Sequence, residues 1–100
     1  MKEQDKVAEF VEKHEMEATS AFRVLDLVAE VGEIASDAAK SAEYGMREEE
    51  LDVSEDELGD AFFSLLAVAN DLEIDLGEAL DKSMKKYGER IDEKGDPGSR

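Results

Sequence analysis

Apolar residues recur along this chain three and four positions apart, the period of a helix, and no segment shows the alternation of a half-buried strand. Val7, Phe10, Val11 and His14 mark one face of a first helix, expected from Gln4 to Glu17. A second helix is expected from Ser20, as its N-cap, to Ala42. Residues Gly45 to Val53 read as a loop. A third helix starts at Ser54, with Glu57 three residues on as a capping-box partner, and runs to about Asp71. A fourth starts at Asp75, with Glu78 in the same relation, and runs to about Ile91. Four helices with short links predict an all-α four-helix bundle, a single domain over residues 1–94, with residues 95–100 a frayed, flexible tail.

The second helix breaks the usual division into one apolar and one polar face. Ala21, Phe22, Val24, Leu25, Leu27, Val28, Ala29, Val31, Ile34, Ala35, Ala38 and Ala39 cover most of its circumference. Asp26, Glu30, Glu33 and Asp37 share the stripe that remains, roughly 100° wide. Like charges stacked at these intervals cost a few tenths of a kcal/mol per pair. A helix so apolar belongs in a core, where shielded carboxylates either rise in pKa or hold a cation. In the third helix, Asp60 is the only charge between Leu58 and Ala69, and Ser64 the only other polar side chain. Glu57 and Asp60 lie on one edge of it. Two carboxylates from each of two facing helices suit Mg²⁺, which takes oxygen ligands and keeps some waters.

The two acid pairs have the same form, Glu30-Val31-Gly32-Glu33 and Glu57-Leu58-Gly59-Asp60. A mid-helix glycine costs about 1 kcal/mol against alanine, so two of them beside acids suggest close helix approach at a shared site. Plainer readings stand beside this one. Glu57 serves equally as a cap partner, Asp60 as a first-turn acid favoured by the helix dipole, and Glu30 with Glu33 as a solvated face. Register is a further constraint. In a simple hairpin Glu57 would face the end of the second helix, and Glu33 lies about 16 Å short of Tyr44. Either the connection travels back along that helix, or a second subunit completes the site.

Composition narrows the partners. The chain carries 28 acids against 12 Lys and Arg, a formal net charge of −16. That surface repels nucleic-acid backbones and anionic membranes; a salt-rich cytoplasm is one setting for it. The absence of cysteine excludes disulfides and thiolate chemistry. The polar N-terminus and the lack of a long apolar run predict a cytoplasmic protein. Lys82, Lys85, Lys86 and Arg90 crowd one face of the fourth helix. They read either as a clamp for a polyanionic substrate or as ordinary helical ion pairs with Glu78, Asp81 and Glu89. The second and third helices present more apolar surface than one bundle of this size covers, which predicts a homo-dimer or larger.

The run from Leu25 to Ala35, followed by Asp56-Glu57-Leu58-Gly59-Asp60-Ala61-Phe62-Phe63, resembles the MazG-like nucleoside triphosphate pyrophosphohydrolases. The family signature is Glu-x-x-Glu on one helix and Glu-x-x-Asp on the next. The stretch from Asn70 to Leu80, running into the lysines, is similar to the family's fourth helix. The resemblance implies Mg²⁺-dependent hydrolysis of a nucleoside triphosphate to monophosphate and pyrophosphate, with Mn²⁺ a substitute ion and nucleotide-pool cleaning a role. It also implies dimers or tetramers with the pocket at subunit junctions. Carried over by position, Glu30, Glu33, Glu57 and Asp60 are the catalytic metal ligands, and Lys82 with Lys85 or Lys86 touches phosphate. Many members have a further glutamate where this chain has Ala29, which leaves open the number of metals and the identity of the base. A phosphoribosyl-ATP pyrophosphohydrolase and a non-catalytic helical oligomer that binds nucleotide or protein are the alternatives.

Overall fold

The computed structural model describes residues 1–41 and 53–98. They form four helices: α1 (Lys2–Lys13), α2 (Ser20–Ser41), α3 (Glu55–Asp71) and α4 (Leu76–Lys94). No strand occurs among the described residues, so the all-α expectation holds. Most of the expected loop before Val53, with Ala42 and Tyr44, lies outside the described residues.

Local chemistry explains the boundaries that differ from expectation. α1 ends at Lys13 rather than Glu17, because Glu15 takes a left-handed φ of 53°. The Glu15 N–H then reaches Glu12 O (3.3 Å) and the Met16 N–H reaches Val11 O (2.9 Å), the paired bonds of a Schellman close. α3 closes in the same way at Glu73 (φ 56°), with Glu73 N–H to Asn70 O at 3.2 Å and Ile74 N–H to Ala69 O at 2.9 Å. The cap of α2 is Thr19, one residue before the expected Ser20; its Oγ1 accepts the Phe22 N–H at 3.1 Å. Ser54 and Asp75 cap α3 and α4 as expected, accepting the N–H groups of Glu57 (3.1 Å) and Glu78 (3.0 Å). α4 runs on past Ile91 to Lys94, where Gly95 in the left-handed region (φ 85°) sends its N–H to Ile91 O at 2.8 Å.

α3 is the central element, with α1 packed on one side and α2 on the other. Val7, Leu66, Ala67 and Ala69 are buried, flanked by Val11, Phe63 and Leu76. Phe10 meets Phe63 edge-on at 5.9 Å, and the exposed His14 ring lies 4.4 Å from Phe10. The expectation of a core-embedded α2 fails within one chain. Phe22, Val24, Leu25, Val28 and Val31 are all exposed, Leu25 by 68%. Asp26, Glu30 and Asp37 of the polar stripe are half-buried together with Leu27, Ile34 and Ala38, and the remaining apolar flank of α2 is left in solvent. α4 buries no residue at all. It diverges from α3 across a groove of about 390 Å³ lined by Met1, Phe62, Leu65, Leu76, Ala79, Leu80 and Ser83. The four helices therefore do not close a bundle in a single copy.

Candidate metal centre

α2 and α3 run antiparallel, and matched polar side chains fix their register. Near one end the buried Arg23 donates from Nη2 to Met16 O (2.6 Å), and its Nε stands 3.8 Å from Asp71 Oδ2. Further along, the buried Ser64 hydroxyl donates to Asp26 Oδ2 at 3.1 Å. Beyond that pair the charges that act across the seam are those of acids. Partial burial, and then the charges of Glu33, Asp60, Asp26 and Asp56, push the Glu30 carboxyl above its ordinary range. Glu57 is raised to about 7, first by a hydrogen bond shared with Asp37, then by burial and by the charges of Asp37 and Glu33; the Ser54 hydroxyl opposes this.

The two sequence motifs are thus brought to one seam by a single chain. α3 begins beside Asp37, about one turn before α2 ends at Ser41, so Glu57 stands near Glu33 without a second subunit. The glycines play a different part from the one expected. A Cβ placed on Gly32 or Gly59 would meet nothing within 4 Å, so neither permits a close helix approach within this chain. Gly59 instead lines a groove on the α1 side, with Glu3, Lys6, Val7 and Phe63.

Glu57 Oε2 is buried and has no hydrogen-bond partner. With Asp37 and Glu57 both ionised, two acceptors face each other and no donor stands between them. A shared proton or a cation resolves that, and an all-carboxylate donor set is the chemistry that hard divalent ions select. Among the described residues, no three acidic or histidine side chains converge closely enough to hold an ion as they stand. Glu33 and Asp60 are exposed, which leaves their side chains room to swing inward. The residues fit a divalent ion by donor type and by the orphaned oxygen.

Asp37 and Asp56 join the cluster although they lie outside the motif. Asp37 was legible as a member of the α2 stripe; Asp56 gave no signal beyond its neighbour Glu57. The cations are placed elsewhere. Lys82, Lys85 and Lys86 are exposed on α4, Lys86 Nζ lies 5.0 Å from the Tyr87 ring centroid, and Arg90 Nη1 reaches Pro97 O at 3.5 Å. No cation is among the charges that set the Glu30 and Glu57 carboxyls. The structure therefore assembles the acids and leaves the α4 cations apart from them.

The family model described as the MazG nucleotide pyrophosphohydrolase domain matches residues 18–94. No curated protein and no solved structure matches the chain.

Proposed function

The chain belongs to the MazG nucleotide pyrophosphohydrolase family, and on that premise we propose that it hydrolyses a nucleoside triphosphate to the monophosphate and pyrophosphate. Glu30, Glu33, Glu57 and Asp60 would hold Mg²⁺, or Mn²⁺ in its place. The observation that carries this reading is the seam itself: carboxylates from two helices face one another with the buried Glu57 Oε2 unpartnered. When bound, the ion supplies screening of triphosphate charge and a more acidic water.

The chain's own residues supply the remainder. Arg23 beside Asp71 and Ser64 bonded to Asp26 hold the two helices in register, which fixes the spacing of Glu30, Glu33, Glu57 and Asp60 without drawing on those four. The seam carries more carboxylates than one hydrated ion needs, so one is left to accept the proton of the attacking water. Lys82, Lys85 and Lys86 would bind phosphates, and because they stand apart from the acids of their own chain, we assign that contact to the α4 of a second copy in a dimer or tetramer. No described helix is long and apolar enough to cross a membrane.

The test is pyrophosphate release from a panel of ribo- and deoxyribonucleoside triphosphates and phosphoribosyl-ATP, each with and without Mg²⁺. Mg²⁺-dependent release from a triphosphate is expected. Nucleotide binding with no release from any substrate would reduce the chain to a binding module.

A further inference from the structure

α4 is joined to the rest of the molecule through its first turns, and the far end of the sequence holds that junction: the Met1 ammonium stands 3.3 Å from Asp75 Oδ2, and the Gln4 side chain grips the backbone on either side of Asp75. Gln4 of α1 is 6% exposed. Its Oε1 accepts the Leu76 N–H at 2.7 Å, and its Nε2 donates to Ile74 O at 2.7 Å and to Asn70 Oδ1 at 3.2 Å. Asn70 Nδ2 returns a bond to Gln4 O at 2.9 Å. Ile74 and Leu76 flank Asp75, the residue where the backbone leaves the α3 turn and enters α4. A single planar amide thus grips the carbonyl before Asp75 and the N–H after it, so rotation about the Asp75 dihedrals must break one of the two bonds. Beyond this point only Leu76 reaches the core cluster, and the groove beside Phe62 and Leu65 separates α4 from α3.

We propose that Gln4, clasped to Asn70, is a positioning residue that sets the angle at which α4 leaves the core and hence where Lys82, Lys85 and Lys86 stand. The lever arm makes this consequential. Lys86 lies about 15 Å of helix beyond Leu76, so a turn of about 10° at the junction moves it by about 2.6 Å. A displacement of that size is enough to lose a phosphate contact. The link to phosphate binding rests on the function proposed above; the control of the α4 angle does not.

Gln4→Met keeps the volume of the side chain and removes all four of its bonds, the 3.4 Å bond from the Met1 ammonium to Oε1 included; Asn70→Ala removes the clasp from the other side. The chain has no cysteine, so spin labels at Lys13→Cys on α1 and Glu93→Cys on α4 report the angle directly, with labelled protein diluted into unlabelled protein. A single narrow distance distribution is expected with Gln4 present, and a broad or shifted one in Gln4→Met, at unchanged helix content by circular dichroism. In steady-state kinetics both variants should raise KM for the triphosphate several-fold with kcat within about twofold, the split of a binding group moved out of place. A merely destabilised protein would lose active fraction and lower kcat instead. An unchanged distance distribution in folded Gln4→Met overturns the control of angle. A broadened distribution with unchanged KM overturns its link to substrate. If the wild type releases no pyrophosphate, the function reading fails while the distance measurement still decides the hinge.

Discussion

Glu57 meets two demands at one position. Its backbone N–H is taken by the Ser54 cap, while its carboxyl is turned to Asp37 and left with a buried, unpartnered oxygen. Its folded pKa of about 7 lies above the ordinary 4.5, so the metal-free folded state binds a proton more tightly than the unfolded chain. The stability this contributes is complete below pH 4.5 and is lost as pH rises through about 7. In metal-free protein the melting temperature should therefore fall across that window, and saturating Mg²⁺ should abolish the fall by favouring the ionised carboxyl. Thermal melts in chelator and in Mg²⁺ check this; identical pH profiles would remove the ion from Glu57. Asp60→Asn should cancel most of the Mg²⁺-induced rise. Because charge on the transferring group peaks in the transition state, Glu33→Gln or Glu57→Gln should lower kcat by about 100-fold or more. Steady-state kinetics with circular dichroism decide it, since folded variants with near-wild-type kcat would make these carboxylates surface decoration.

At the scale of elements, caps and closes were unequally legible. Ser54 and Asp75 announce themselves by a glutamate three residues on, and both cap as read. The end of α3 falls at Asp71 as read, whereas that of α1 was harder to place; at both ends glutamates, not glycines, occupy the left-handed positions. A side chain there costs about 1–2 kcal/mol, part of which glycine recovers. Glu15→Gly and Glu73→Gly should each stabilise the fold by roughly 0.5–1 kcal/mol, seen as a rise of a few degrees in melting temperature. A fall would show that these side chains hold contacts worth more than the strain. The α2–α3 pairing carries the other lesson. Periodicity found the acid stripe, but it assigned the apolar circumference of α2 to a core that one chain does not supply.

The whole molecule has too much surface for its size. It exposes 7612 Å² against about 5,700 Å² for a compact chain of this mass, and its radius of gyration is 16.5 Å against about 13 Å. Exposed apolar rows run along α2 (Phe22, Leu25, Val28) and along α4 (Leu80, Met84, Tyr87, Ile91), the latter at the spacing of a helix–helix seam. Light scattering should therefore find a dimer or tetramer at micromolar concentration, and Leu25→Lys or Val28→Lys should dissociate it. In a monomer such exposed substitutions stay within about 0.5 kcal/mol of neutral. Wild type running as a monomer in low and high salt would show that these rows need no cover. The sequence alone determined the helices, their acid and cation groups and the MazG-like pattern, because each depends on residues three or four apart, which a helix holds in fixed relation. The register that sets Glu57 beside Asp37 and Glu33, the outward turn of the apolar face of α2, and the clasp of Gln4 on the entry to α4 were decided only by tertiary structure. Each joins residues from different helices, and no helical period fixes how one helix lies against another.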